Sequence, residues 1–152
     1  FTNYIEMHDD KVDDRASSLV KIKRKMLLPT RVRLLASTWF SKRLIQLFGD
    51  PITHPTVVCV KEKMPNPLFR EEYKACMDWD LWERLSHTAG SFVYVPDVLL
   101  YHRMNDDNQS AKLIRTSDCR SKEELEILSR LWPRPIAKII AKIYSKAGSK
   151  YY

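Results

Sequence analysis

The sequence predicts an α/β fold, because segments with the pattern of strands alternate along the chain with segments that have the pattern of helices. Strand-like segments run from Phe1 to Met7 and, through a β-branched stretch, from Thr56 to Val60. A helical pattern begins at Met77, and two more strand-like segments follow it, Phe92 to Val95 and Val98 to Met104. The expected architecture is therefore one α/β domain.

The composition is that of a folded domain. The 152 residues are 44% hydrophobic, which is enough to bury a core, and no apolar run approaches the roughly 18 residues that cross a bilayer. Because the chain begins at Phe1 within a strand-like segment, we expect it to be the C-terminal part of a longer protein. Its three cysteines are widely spaced and odd in number, which favours reduced thiols in a cytoplasmic setting over a disulfide framework or a zinc site.

A basic segment between Asp14 and Asp50 carries much of the net charge of +7. It contains no acidic residue, whereas Lys and Arg recur through it from Arg15 to Arg43. Such a surface attracts phosphate groups of a nucleic acid, an anionic membrane or a nucleotide-linked substrate, and a solvated face is the alternative. Nucleic acid is disfavoured as a partner, since no helix-turn-helix, ribonucleoprotein or zinc-finger signature accompanies the charge.

The elements that follow are short. Apolar spacing from Ser37 to Phe48 predicts a helix that ends at Gly49. The run Thr56 to Val60 is expected to be a buried strand, and Leu68 to Tyr73 a helical turn. Pro96-Asp97 is expected to form a turn between the last two strands.

The helical pattern from Met77 to Leu85 concentrates two carboxylates and two indoles in a few residues. Leu81, Trp82 and Leu85 lie on one side at helical spacing, and Asp80, Glu83 and Arg84 lie on the other. The helix is therefore expected to bury its apolar side and to expose its charged side. Asp78 stands where the N-cap would be, so that its carboxylate is either a cap or a base.

Two more helices are predicted after residue 116. Ser121 and Glu124 have the spacing of a capping box for the first. In the second, an apolar stripe lies opposite three lysines; the stripe is Ile136, Ile139, Ile140, Ile143 and Tyr144, and the lysines are Lys138, Lys142 and Lys146. We expect the stripe to pack against the domain, and the alternative is a peripheral contact with a membrane.

Four groups of residues together resemble the C-terminal half of a family 2 glycosyltransferase with the GT-A fold. They are His54-Pro55-Thr56, Asp78-Trp79-Asp80-Leu81-Trp82, Phe92-Val93-Tyr94-Val95-Pro96 and Leu99-Leu100-Tyr101-His102-Arg103. The tail around Leu131-Trp132-Pro133 resembles bacterial members that build surface polysaccharide or lipopolysaccharide. The resemblance implies a mixed, Rossmann-like sheet in an acceptor-side half over residues 1–115, a helical extension over 116–152, and a donor-binding half that is missing.

On the acceptor side, the resemblance implies that Asp78 is the catalytic base, although Met77 replaces the Glu of the family motif. Direct displacement at an anomeric carbon needs a base that takes the proton of the attacking hydroxyl, and an ordinary aspartate is ionised at neutral pH. Trp79, Asp80 and His54 are implied to bind the acceptor, with Trp79 offering its ring to a sugar. An exposed ion pair between Asp80 and Arg84 is the alternative for Asp80.

On the donor side, His102 and Arg103 are implied to contact the donor diphosphate, for which a guanidinium is well suited. An ion pair of Arg103 with Asp106 or Asp107 is the alternative. The family binds a divalent metal, Mg or Mn, through an Asp-x-Asp motif that this chain lacks in the expected place. Asn105, where relatives carry a second His, is a weak candidate ligand.

The resemblance therefore implies part of an inverting glycosyltransferase that moves a sugar from a nucleotide-sugar donor to a saccharide or lipid-linked acceptor. The fragment is expected to be inactive alone and the enzyme to be cytoplasmic, with a peripheral position at the inner face of the plasma membrane. The rival hypothesis is a non-catalytic basic module that binds polyanions or an anionic membrane surface.

Overall fold

The computed structural model of the chain describes residues 1–8, 11–12, 17–104 and 119–148, and it is a mixed α/β structure. The strands are β1 (Thr2–His8), β2 (Lys11–Val12) and β3 (Val95–Met104). The helices are α1 (Ser18–Leu27), α2 (Arg33–Ala36), α3 (Trp39–Leu44), α4 (Met77–Ser86), α5 (Cys119–Leu131) and α6 (Arg134–Gly148). Short 3-10 turns cover Leu28–Arg31, His54–Thr56 and Lys61–Lys63.

The sheet is small and mixed, with the strand order β2-β1-β3. β1 is antiparallel to β2 and parallel to β3, where Glu6 lies opposite His102. The predicted first strand is confirmed, but the predicted turn at Pro96-Asp97 is wrong because β3 runs through it. The pairing of β1 with β3 is irregular on both sides of Asn3, where β3 has extra residues that form a bulge. A proline is tolerated in a strand at such a bulge.

The strand predicted from Phe92 to Val95 is mostly wrong, because only Val95 belongs to β3. Before Val95, the backbone N–H of Phe92 donates to the carbonyl of Ala36, and that of Tyr94 donates to the carbonyl of Thr30. These hydrogen bonds join the segment to the α1–α3 region instead of to a neighbouring strand.

The buried strand predicted from Thr56 to Val60 is also wrong. Thr56 ends a 3-10 turn, and Val58 is 91% exposed. A β-branched run prefers a pleated, packed surface, and no described strand lies beside this run to provide one. The predicted helical turn from Leu68 to Tyr73 is shortened to a single turn, in which the N–H of Tyr73, a buried residue, donates to the Arg70 carbonyl at 3.3 Å.

The basic segment folds into α1, α2 and α3. Ser17 caps α1 through Oγ, which accepts from the Val20 N–H at 3.3 Å, and Thr38 caps α3 in the same way. The predicted helix that ends at Gly49 is confirmed in shortened form, since turns connect Leu44 to Gly49. Gly49 has φ +145° and lies against the ring of Tyr144, where no Cβ would fit.

Helix α4 is confirmed, and it contributes to two hydrophobic clusters. The first contains Leu81, Trp82 and Leu85, and the second contains Trp79 together with residues of α5 and α6. The residues from the last two helices are Ile127, Leu128, Ala137 and Ala141. The helical extension therefore shares a core with the rest of the domain, while the predicted boundary at 115/116 lies outside the described residues.

The charged side of α4 is buried, contrary to the prediction. Asp80 and Glu83 are inaccessible because α5 and α3 cover them and supply arginines. Asp80 accepts from Arg130 Nη1 at 2.7 Å and from Arg84 Nε at 2.9 Å, and Glu83 accepts from Arg43 Nη1 at 2.9 Å. The ion pair between Asp80 and Arg84 thus exists, but inside the protein.

The apolar stripe predicted on the last helix is split. Ala137 and Ala141 face the core, whereas Ile136, Ile139 and Ile143 are exposed. The expectation that the isoleucine stripe packs against the domain is therefore wrong for these three residues, because the small alanines let α6 approach α5 on an adjacent side. Among the described residues, no helix has both the length and the apolar character to span a membrane.

Candidate functional site

A cleft of about 300 Å³ lies where the start of α4 meets the sheet and the last two helices. Seven segments line it. The strands β1 and β3 contribute Tyr4, Glu6 and His102, and helix α1 contributes Leu19 and Lys23. The other four are the loop Asp50–Pro55, the segment Lys74–Trp79, α5 with Arg120 and Glu124, and α6 with Tyr144. The lining mixes four carboxylates with three permanent cations and two histidines. Such a surface suits a polar ligand with hydrogen-bonding groups of both kinds.

Four of the residues singled out from the sequence line this cleft: Asp78, Trp79, His54 and His102. They come from α4, a loop and β3, and only the fold brings them together. Asp80 and Arg103 are not among the lining residues, and Asn105 lies outside the described part of the chain.

The start of α4 is held in place by Glu123 of α5. The N-cap residue is Cys76, not Asp78 as predicted, and its side chain makes no capping bond. Instead, the Glu123 carboxylate accepts from the backbone N–H groups of Lys74, Ala75 and Cys76 at 2.8–2.9 Å. The capping box predicted at Ser121 and Glu124 is accordingly wrong, because Ser121 lies inside α5 and the neighbouring glutamate caps another helix.

This cap leaves Asp78 as the second residue of α4, beside the cleft. Its Oδ1 accepts from the Trp79 N–H at 2.8 Å. The positive end of the helix dipole favours a carboxylate at this position.

Asp50 is a second carboxyl group of the cleft. Its Oδ1 accepts from the Ile52 N–H at 3.0 Å. Burial raises the pKa of Asp50 well above its usual range, and the negative charge of Asp78 raises it further, while Lys23, the Ile52 N–H and Arg120 oppose the shift. The environment thus favours a proton on Asp50 beside the carboxylate of Asp78.

The indole ring of Trp79 is 1% exposed and packs against Tyr144, with 5.7 Å between the ring centroids. The expectation that its ring stacks on a sugar is therefore wrong, because no ring face is open. Its Nε1, however, has no hydrogen-bond partner among the described residues.

Glu124 of α5 carries the complementary unpaired atom. Its Oε1 accepts from Arg120 Nε at 2.7 Å, whereas Oε2 lacks a partner within the described ranges. Burial raises the pKa of Glu124, and the Arg120 guanidinium opposes that shift. The cleft lining thus contains both an unpaired donor and an unpaired acceptor.

His102 and Tyr144 are lining residues that are uncharged near neutral pH. Burial lowers the pKa of His102, although Glu6 across the strand pair partly opposes this, so that the ring is neutral near pH 7. Burial raises the pKa of Tyr144 to about 12, and its hydroxyl oxygen accepts from the Asp50 N–H at 3.3 Å. His54 makes edge contacts with Phe69 and lies beside Trp82.

Two candidate residues lie elsewhere. Asp80 is fully buried and its two oxygens are bound by arginines, because it projects from a different side of α4 than Asp78. Arg103 follows His102 in β3 and therefore points to the opposite face of the sheet, where it is exposed. Neither is positioned to share a ligand with the residues of the cleft.

The described residues contain no group of three or more His, Cys, Asp or Glu side chains placed to bind a metal ion. Comparison with protein-family models, curated proteins and solved structures found no match for this chain.

Proposed function

We propose that the chain is the acceptor-side part of an inverting glycosyltransferase with the GT-A fold. The observation that carries the proposal is the convergence of Asp78, Trp79, His54 and His102 on one cleft. These residues belong to three of the four sequence motifs that resemble family 2 glycosyltransferases. The proposed substrates are a nucleotide-sugar donor and a saccharide or lipid-linked acceptor, in the synthesis of cell-surface polysaccharide.

In this proposal Asp78 is the base. As the acceptor oxygen forms its bond to the anomeric carbon, the hydroxyl proton passes to the Asp78 carboxylate. The bond between the anomeric carbon and the diphosphate breaks, and the nucleoside diphosphate leaves with the electron pair. The raised pKa of Asp50 supports the assignment, since a carboxyl that holds its own proton would not compete with Asp78 for the proton of the acceptor.

The mixed lining of the cleft supports a saccharide as the acceptor. Sugar hydroxyls both donate and accept hydrogen bonds, which suits a lining of carboxylates, cations and imidazoles. Trp79, whose ring is buried, would then support the acceptor site from within the wall of the cleft. Of the two proposed donor-side residues only His102 lines the cleft, so that Arg103 would contact the diphosphate from another surface.

The rival function, a basic module for polyanions, receives less support from this cleft. Glu6, Asp78 and Glu124 would repel a polyanion that entered it. The metal that the resemblance implies would depend on residues of the missing donor half, and no step proposed here passes through a metal.

The test is Asp78→Asn in the longer protein to which the chain is proposed to belong. The amide cannot take the proton, so kcat should fall by roughly a hundredfold to ten-thousandfold, while the dissociation constant of the donor stays unchanged. Sugar transfer is followed as release of the nucleoside diphosphate, and Asp97→Asn, which alters an exposed carboxylate on β3, is the control. Normal turnover in Asp78→Asn would remove the role of base.

A further inference from the structure

The outer surface of α6 combines exposed isoleucines with positive charge. Ile139 and Ile143 are 62% and 64% exposed, and Ile136 extends the same side of the helix by another turn. These three side chains form the isoleucine ridge. Large apolar side chains that line up on a surface mark a site of interaction more often than isolated ones do.

Positive charge lies along one edge of the ridge. Arg134, Lys138 and Lys142 are exposed on α6, and no acidic residue follows Glu126 in the sequence. The long alkyl stems of lysines can lie along an apolar surface while their ammonium groups reach anions. The ridge and its lysines are therefore complementary to a surface that has an outer layer of negative charge over an apolar interior.

From these observations we propose that α6 binds an anionic lipid membrane, with the isoleucine ridge entering the headgroup region and Lys138 and Lys142 contacting lipid phosphates. A nucleic acid would satisfy the cations but would gain nothing from three isoleucines, so lipid is the favoured partner. The ridge and the cleft use different sides of α6, since Tyr144 lines the cleft and adjacent helical residues point about 100° apart. The contact is thus independent of the proposed transfer reaction.

The experiment is sedimentation of the chain with phosphatidylcholine vesicles that contain or lack phosphatidylglycerol. Wild type should bind the anionic vesicles at least roughly tenfold more strongly. Ile139→Asp with Ile143→Asp should lose that binding, and Lys138→Gln with Lys142→Gln should lose the preference for anionic lipid. Val58→Asp, which alters an exposed apolar residue in a loop, is the matched control and should bind as wild type does.

Equal binding to neutral and anionic vesicles, or wild-type binding by the isoleucine variant, would overturn the proposal. So would a wild-type dimer in sedimentation velocity that the isoleucine variant dissociates, because a second copy would then occupy the ridge. Circular dichroism verifies the fold of each variant. Asp78→Asn should bind vesicles normally, which separates a failure of this inference from a failure of the proposed catalytic role.

Discussion

Glu123 stabilises the first turn of α4 from another helix, and its ionisation ties that contact to pH. Burial alone would raise its pKa, but the hydrogen bonds from the Cys119 thiol and from three backbone N–H groups lower it below the ordinary value. A carboxylate with a lowered pKa in the folded state adds stability above the unfolded pKa. That stability is lost as the pH falls through the folded pKa.

Glu123→Ala should therefore lower the free energy of unfolding by about 1–3 kcal/mol at neutral pH, because three N–H groups, of which that of Cys76 is buried, lose their acceptor. Urea unfolding between neutral and acidic pH should show that the variant loses less additional stability than wild type below the ordinary pKa of a glutamate. Asp50→Asn is the control, and its effect on the pH dependence of stability should have the opposite sign. It removes a carboxyl whose raised pKa makes its ionised form unfavourable in the folded protein. A pH dependence in Glu123→Ala identical to that of wild type would contradict the assigned role.

Some residues of the cleft could be found in the sequence and others could not. Asp78, Trp79, His54 and His102 lie in motifs of fixed local spacing, whereas Asp50 and Glu124 belong to unrelated segments that meet only through tertiary packing. Together with Ser121, Glu124 has the local spacing of a capping box, and this pattern predicted that its carboxylate caps α5 instead of lining the cleft.

At the scale of elements, helices α5 and α6 approach closely because α6 presents alanines to α5. Ala137 is completely buried among Ile127 and Leu128. Ala137→Leu should therefore overpack this contact and lower the free energy of unfolding by about 1–3 kcal/mol. Thermal or urea unfolding measures the change, and Ile139→Leu on the exposed side of the same helix should alter stability by less than about 0.5 kcal/mol. Equal effects of the two substitutions would show that the contact is loose.

The apolar side of α4 could be predicted because helical periodicity is local, and Leu81, Trp82 and Leu85 are all buried. The burial of its charged side could not, because the arginines that cover it lie 40 and 50 residues away in the chain. The prediction of a strand from Thr56 to Val60 was wrong for a related reason. Its side chains favour a strand, but a strand also needs a neighbouring strand to pair with, and local sequence does not indicate whether one is present.

At the scale of the whole molecule, the second hydrophobic cluster joins residues before and after the segment 105–118. A chain that ends at residue 116 would lose Ile127, Leu128, Ala137 and Ala141, together with the Glu123 cap. Each deleted large core side chain alone is worth about 2–5 kcal/mol, so this truncated chain should not unfold cooperatively. Near-ultraviolet circular dichroism and thermal unfolding test this, and a sharp transition in the truncated chain would make residues 116–152 a separable extension.

The pairing of β1 with β3 also governs the order in which the molecule can assemble during synthesis. Asn3 binds the backbone of Pro96, 93 residues later in the chain, so that β1 leaves the ribosome long before its parallel partner exists. Contacts so distant in sequence form slowly, and an unpaired strand can meanwhile associate with other chains. During synthesis, the parallel pairing of β1 can therefore be completed only after residue 104 has emerged, and until then one edge of β1 lacks its partner strand.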